Sequence, residues 1–284
     1  MTVSDERSSP TLRRKWLGRR LRELRKAAGL TAEQVAEHLL CSEAKISRIE
    51  TGHRPASLRD VRDLLVLYKV KGPEREELMS LAKAAREKGW WQEYGHIPYA
   101  KYIDFEAEAA SIRNYESLFV PGLLQTDAYA LAVIQGTEPD VSANEVARRA
   151  QVRAKRQALI TRADPVRFWA IIDEAALRRQ VGGPEVMRDQ LRRLLATRDM
   201  PHVTLQVIPF RAGVHPAMAG AFVILELADP TVSDVVYVEN LAGDIYVEKS
   251  HQVDRFAKIF ERLAHLALDP DDSLALIEQT LKEH

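Results

Sequence analysis

The 284-residue sequence has one cysteine, Cys41, which excludes an intrachain disulfide and a cysteine-rich zinc site. Aromatic residues make up 7%. No run reaches the ~18–20 apolar residues that span a bilayer, and residues 1–7 lack the apolar core of a signal peptide. A cytoplasmic chain with no membrane partner is expected. Also missing are a glycine-rich phosphate loop, a nucleophile-elbow pattern and any His/Cys set at metal spacing. His202, His215 and His251 are scattered near expected strands. These absences predict no enzyme, no metal and no cofactor. Net charge is zero as well, but the balance is uneven along the chain. Residues 1–72 carry 16 Lys and Arg against 9 Asp and Glu, and the remainder carries 25 against 32. A basic head on an acidic body is the pattern of a nucleic-acid-binding domain attached to something else.

Hydrophobic spacing divides the chain into a disordered arm over 1–10, a helical domain over 11–88 and a mixed α/β domain over 89–284. In the head, Leu17, Leu21, Leu24 and Ala28 form the apolar stripe of a helix over 11–28, whose other faces are crowded with arginine and lysine. Thr31 and Gln34 have the spacing of a capping box and open a second helix, with Val35, Ala36 and Leu39 inward. Ser42 caps a third that ends at Gly52. Ser57 caps a fourth, with Leu58, Val61, Leu65 and Tyr68 inward. Gly72-Pro73 opens a fifth.

The stretch Ser42–Gly52 is the centre of this head. Ile46 and Ile49 fall on one face, leaving Glu43, Ala44, Lys45, Ser47 and Arg48 free to meet base edges in a major groove. An amphipathic surface helix is the alternative for these eleven residues alone. The short second helix, tight turn and small Ala36 before them are the sequence form of a helix-turn-helix. Leu30-Thr31, Val35-Ala36, Leu39, Ser42, Ile46-Ser47-Arg48-Ile49-Glu50 and Gly52 together resemble the Xre/Cro-like repressors. Two positions depart from that family: Ala32 stands where it often has glutamine, and Leu40 where it favours glycine. A non-glycine residue held left-handed costs about 1–2 kcal/mol, so a differently shaped turn is expected. Arg19, Arg22, Thr31, Ser42, His53 and Arg54 are candidates for phosphate contacts, which position without reading sequence.

The body begins with Trp90, Trp91 and Tyr94. These either pack one domain on the next or, as an alternative, form a platform for an effector. Helices are expected over 104–117, 121–135 and 143–162, where Arg148, Arg149, Arg153 and Arg156 form either a solvated face or an anion site. Five strands follow, over 166–172, 203–209, 221–227, 234–238 and 244–248, with helices near 174–180 and 184–198 between the first two. That interruption permits a parallel crossover, whereas short turns predict an antiparallel meander for the last three. Two helices, 251–267 and 272–283, close the chain. The fold class is thus a five-helix helix-turn-helix domain followed by helices, a five-stranded mixed sheet and two C-terminal helices.

Gly89-Trp90-Trp91, Phe105–Ala109, Tyr115-Glu116, Val120–Thr126, Ala154–Gln157 and Asp173–Ala175 resemble an actinobacterial family that includes the WhiJ-like regulators. The resemblance implies a transcription regulator and a small regulatory protein encoded nearby as its partner. The combined expectation is a homodimeric, repressor-like protein that binds a double-stranded DNA operator. The alternative is a one-component regulator whose body binds a small-molecule effector.

Overall fold

The computed structural model describes residues 9–87, 89–95, 97–228 and 232–283. The chain forms two compact units: residues up to Glu93 together with Ala100–Glu108, and Tyr94–Tyr99 together with Ala109 onward.

The first unit is helical. Its helices are α1 (Pro10–Ala27), α2 (Ala32–His38), α3 (Glu43–Glu50), α4 (Leu58–Leu67), α5 (Gly72–Ala84) and α6 (Ala100–Ala107), with a 3-10 turn over Trp90–Tyr94. Eight residues of the expected arm, 1–8, lie outside the described residues. Its last two start α1: Ser9 is the N-cap and accepts the Leu12 N–H, and Pro10 fills the first turn, where no amide donor is needed. Leu17, Leu21, Val35, Ile46, Ile49, Val61 and Leu65 meet in one core, each such side chain contributing about 1.5–3 kcal/mol when fully buried. Two expected core positions are corrected. Ala28 is the exposed C-cap of α1, and Leu58, at the first turn of α4, is 39% exposed.

Gly18 sits in the middle of α1 and is buried against the end of α3. A β-carbon there would lie 2.8 Å from the Glu50 carbonyl oxygen and closer still to that of Ile49. Glycine is a poor helix former; here it sets how closely α1 and α3 approach.

The second unit is built on a six-stranded sheet of order β3-β2-β1-β4-β5-β6. Its strands are β1 (Ala109–Glu116), β2 (Arg167–Asp173), β3 (Val203–Ile208), β4 (Phe222–Leu227), β5 (Val235–Asn240) and β6 (Gly243–Val247). The helices are α7 (Asp127–Thr137), α8 (Ala143–Arg156), α9 (Ala158–Thr161), α10 (Glu174–Arg178), α11 (Pro184–Leu195), α12 (Ser250–Leu266) and α13 (Pro270–Glu283). The β1–β2 and β2–β3 pairs are parallel, while β1–β4, β4–β5 and β5–β6 are antiparallel. The mixed sheet, the crossover and the meander agree with the sequence reading.

The strand count does not. Residues 109–116, expected within a helix, are a central strand. Ala109, Ile112 and Tyr115 are all buried, and their three-residue spacing imitates a helical stripe. A strand covered on both faces loses the alternation that marks a half-buried one. Tyr115 joins Ile171, Phe222, Ile224 and Val236 against Val253, Phe260 and Leu263 of α12. Asn114 and Ile112 point to the other face of the sheet. At the β3 edge, Leu268 donates to the Val207 carbonyl at 2.9 Å and Val207 donates to Ser273 Oγ at 2.9 Å, which covers an otherwise open strand.

Candidate nucleic-acid interface

The site lies wholly within the first unit and is presented by the α2–turn–α3 segment. Thr31 and Gln34 form the reciprocal capping box: Gln34 N–H donates to Thr31 Oγ1 at 3.1 Å and Thr31 N–H to Gln34 Oε1 at 2.9 Å. At the other end of α2, Leu40 N–H donates to the Glu37 carbonyl at 3.1 Å and Cys41 N–H to that of Ala36 at 2.9 Å. This paired closure needs a left-handed residue, and Leu40 supplies it at φ 49. The expectation of a differently shaped turn is therefore corrected. The turn keeps the left-handed form with a leucine in it, and that side chain is 94% exposed.

Ser42 then caps α3, its hydroxyl accepting the Lys45 N–H at 3.2 Å. Ile46 and Ile49 are buried, which fixes the rotation of α3. Glu43, Ala44, Ser47 and Arg48 are exposed as a result. Of the five residues expected to read bases, Lys45 stands apart. It is half-buried, and its Nζ donates to Asp60 Oδ1 on α4 at 2.7 Å. Asp60 Oδ2 accepts the Ser57 N–H at 3.2 Å. Burial opposes ionisation of Asp60, yet the hydrogen bonds from Lys45 and Ser57 outweigh it and hold the carboxyl below its ordinary value.

The expected backbone-contact residues are at the surface. Arg19, Arg22, Thr31, Ser42, His53 and Arg54 are all exposed. Arg19 Nε donates to Glu23 Oε1 at 3.0 Å, an exposed pair of small energetic weight. His53 Nδ1 is 3.0 Å from Thr51 Oγ1, and Arg54 N–H donates to the Arg48 carbonyl at 3.0 Å. The loop after α3 is thereby tied to α3.

Arg25, one of the crowd of cations on α1, faces inward instead. Its Nε and Nη2 donate to the two carboxylate oxygens of Glu50 at 2.6 and 2.9 Å, and its Nη1 to the Leu30 carbonyl at 2.8 Å. The hydrogen bond to Glu50 raises the Arg25 pKa further above its ordinary value, against the opposing effect of burial. This bidentate clamp joins α1 to the end of α3. A clue was available in the sequence: a carboxylate in the last turn of a helix is unfavourable unless paired, and Glu50 sits there. Gly18 gave no local signal.

The aromatic candidates fall in both units, Trp90 and Trp91 in the first and Tyr94 in the second. Trp91 is 5% exposed and its ring lies against Gly89. Trp90 meets it edge-on, with ring centroids 6.0 Å apart. Tyr94 belongs to the second unit, where Lys155 Nζ is 5.6 Å from its ring centroid.

Elsewhere in the second unit, Asp173 caps α10 by accepting the Ala175 N–H at 2.8 Å. His215 Nε2 is 3.6 Å from Asp173 Oδ2, and His202 Nε2 is 2.8 Å from the Ile160 carbonyl. Among the described residues, no three His, Cys, Asp or Glu side chains are placed to hold a metal. No helix among them is long and apolar enough to cross a membrane.

A family model described as a helix-turn-helix domain matches residues 16–78. A second, described as a domain of unknown function (DUF5753), matches residues 99–279. Comparison with curated proteins and with solved structures gives no match.

Proposed function

The chain belongs to the DUF5753 family and carries a helix-turn-helix domain ahead of it, and from that premise we propose a sequence-specific, repressor-like transcription regulator. On this reading it binds a two-fold symmetric DNA operator as a homodimer. The observation that carries the proposal is the outward face of α3. Glu43, Ala44, Ser47 and Arg48 are exposed together, while Ile46 and Ile49 pin the opposite side. A helix held this way fits a major groove with its N-terminal half toward the bases. Lys45 is a secondary reader, since it must first leave Asp60.

The experiment is to select an operator from random-sequence DNA and compare Arg48→Ala with the native chain. A bidentate arginine–guanine contact discriminates by about 1–3 kcal/mol, so affinity for the operator falls roughly ten-fold or more, while affinity for random DNA changes little. Equal losses on both make Arg48 a phosphate contact and overturn its assigned role. Arg19→Ala and Arg22→Ala instead lower both affinities and flatten the salt dependence.

The second unit serves as the receptor in this scheme. The likeness to WhiJ-like regulators supports a small regulatory protein as what it receives. A small-molecule effector is the second reading, favoured by the side-chain oxygen of Asn114, which is buried without a hydrogen-bond partner.

A further inference from the structure

We infer that the recess between the Pro216–Gly220 turn and α12 binds a small carboxylate with an apolar body, its head on Arg255 and its chain inside. The recess lies wholly within the second unit and measures about 340 Å3, in the range of small-molecule sites. It opens on the face of the sheet that α12 covers. Phe222 at the start of β4 and Val247 at the end of β6 come from that face, and Phe256 and Ile259 come from α12. Phe222 and Phe256 meet edge-on, with ring centroids 5.1 Å apart. The rest of the wall is the turn itself, whose proline, alanines and glycine leave the space that larger side chains would fill.

This wall is formed before any ligand arrives. Met218 N–H donates to the His215 carbonyl at 3.3 Å and Gly220 N–H to that of Ala217 at 3.1 Å, which closes the turn on itself. His215 anchors it, buried with its ring edge-on to Tyr115 at 5.7 Å between centroids. Val214 and Met218 on the same segment are 89% and 64% exposed, apolar surface that a bound chain can cover.

Charge selects the head group. Gln252 and Arg255 are the polar side chains of the lining, and among the described residues no acidic one joins them. One helical turn either side of Arg255 stand His251, Gln252, Lys258 and Ile259, none of them acidic. Asp254 is next in sequence and therefore faces another side of α12. Among the described residues Arg255 has neither an ion pair nor a hydrogen bond from its side chain. It presents a free fork of donors beside an apolar recess, and a carboxylate accepts two of them in parallel. An ammonium head on the same chain meets repulsion instead.

The site extends the small-molecule reading, but binding to it is measured without DNA and stands whether or not the second unit regulates. The effect of the same compound on operator affinity tests the receptor reading separately. The probes are octanoate, octanol and octylamine, titrated below their aggregation limits into the full chain labelled at isoleucine, valine and methionine methyl groups. Octanoate moves the Ile259, Val247 and Met218 signals saturably and leaves those of Ile46 and Ile49, in the first unit, in place. Octylamine binds at least ten-fold more weakly. Arg255→Gln lowers octanoate affinity about ten-fold, as loss of a charged hydrogen-bond partner requires, and leaves octanol unchanged. Arg192→Gln on α11 lowers neither. Both arginines are exposed, so neither change threatens the fold. Ala219→Trp, also at an exposed position, narrows the recess and lowers both affinities. No saturable shift with octanoate, equal shifts of Ile46 and Ile49, octylamine binding as tightly as octanoate, or unchanged octanoate affinity in Arg255→Gln or Ala219→Trp overturns the inference.

Discussion

Replacing Gly18 by alanine sets two effects of opposite sign against each other. In an unobstructed helix interior the change stabilises by about 1 kcal/mol. At Gly18 the added β-carbon overlaps the Ile49 carbonyl oxygen and comes within 2.8 Å and 2.9 Å of the Glu50 carbonyl oxygen and carbon. These are backbone atoms at the end of α3, so no rotamer change relieves them and one helix must move. Overpacking of this kind costs about 1–3 kcal/mol, occasionally more. Taken with the gain in helix propensity, the net loss is up to roughly 2 kcal/mol. Gly136 in α7 provides the control, because no atom lies within 4 Å of a β-carbon built there. Gly136→Ala therefore stabilises by up to about 1 kcal/mol. Urea unfolding of the full chain reads both, with Trp16, Trp90 and Trp91 reporting on the first unit and Trp169 on the second. The two transitions are fitted separately, since a two-unit chain need not unfold in one step. If Gly18→Ala stabilises the first transition, the close approach of α1 and α3 is not what selects glycine.

Two further substitutions test the first unit. Leu40→Gly removes a left-handed leucine whose side chain is 94% exposed; stability in urea rises by about 1 kcal/mol, the conformational relief exceeding the entropy glycine adds to the unfolded chain, and a decrease means Leu40 packs on something. Asp104 on α6 accepts a hydrogen bond from Thr11, and burial outweighs that bond and Arg14 to push its carboxyl up to about 6. The folded state then keeps a proton that the unfolded state has released, so stability falls as pH rises from about 4 to about 6 and is level beyond, by up to about 3 kcal/mol in all. Asp104→Asn removes that decline, and the difference between variant and native melting curves across this window isolates it; identical pH profiles refute the role of Asp104.

Much of the fold was legible because its signals are local. The capping box at Thr31 and Gln34, the hydroxyl caps at Ser42 and Ser57, and Pro73 near the start of α5 mark helix starts within a few residues of themselves. The features that escaped depend on contacts distant in sequence. Strand β1 hides its alternation because side chains on both of its faces are buried. Arg25 resembles its exposed neighbours on α1 until Glu50, 25 residues later, folds against it. Lys45 has the spacing of a base reader, and only the position of α4 brings Asp60 within reach.

The pairing of Lys45 with Asp60 changes how this surface answers to salt. DNA approaching α3 meets a neutral pair at that point and not a free cation. If Lys45 turns to a phosphate, it uncovers a carboxylate beside the same polyanion, and the gain and loss largely cancel. On the proposed docking, the count of displaced counterions is then set by the exposed arginines, Arg19, Arg22, Arg48 and Arg54, and not by the full basic content of the head. A plot of log affinity against log salt, with a slope near −0.9 for each phosphate neutralised on duplex DNA, becomes a count of arginines.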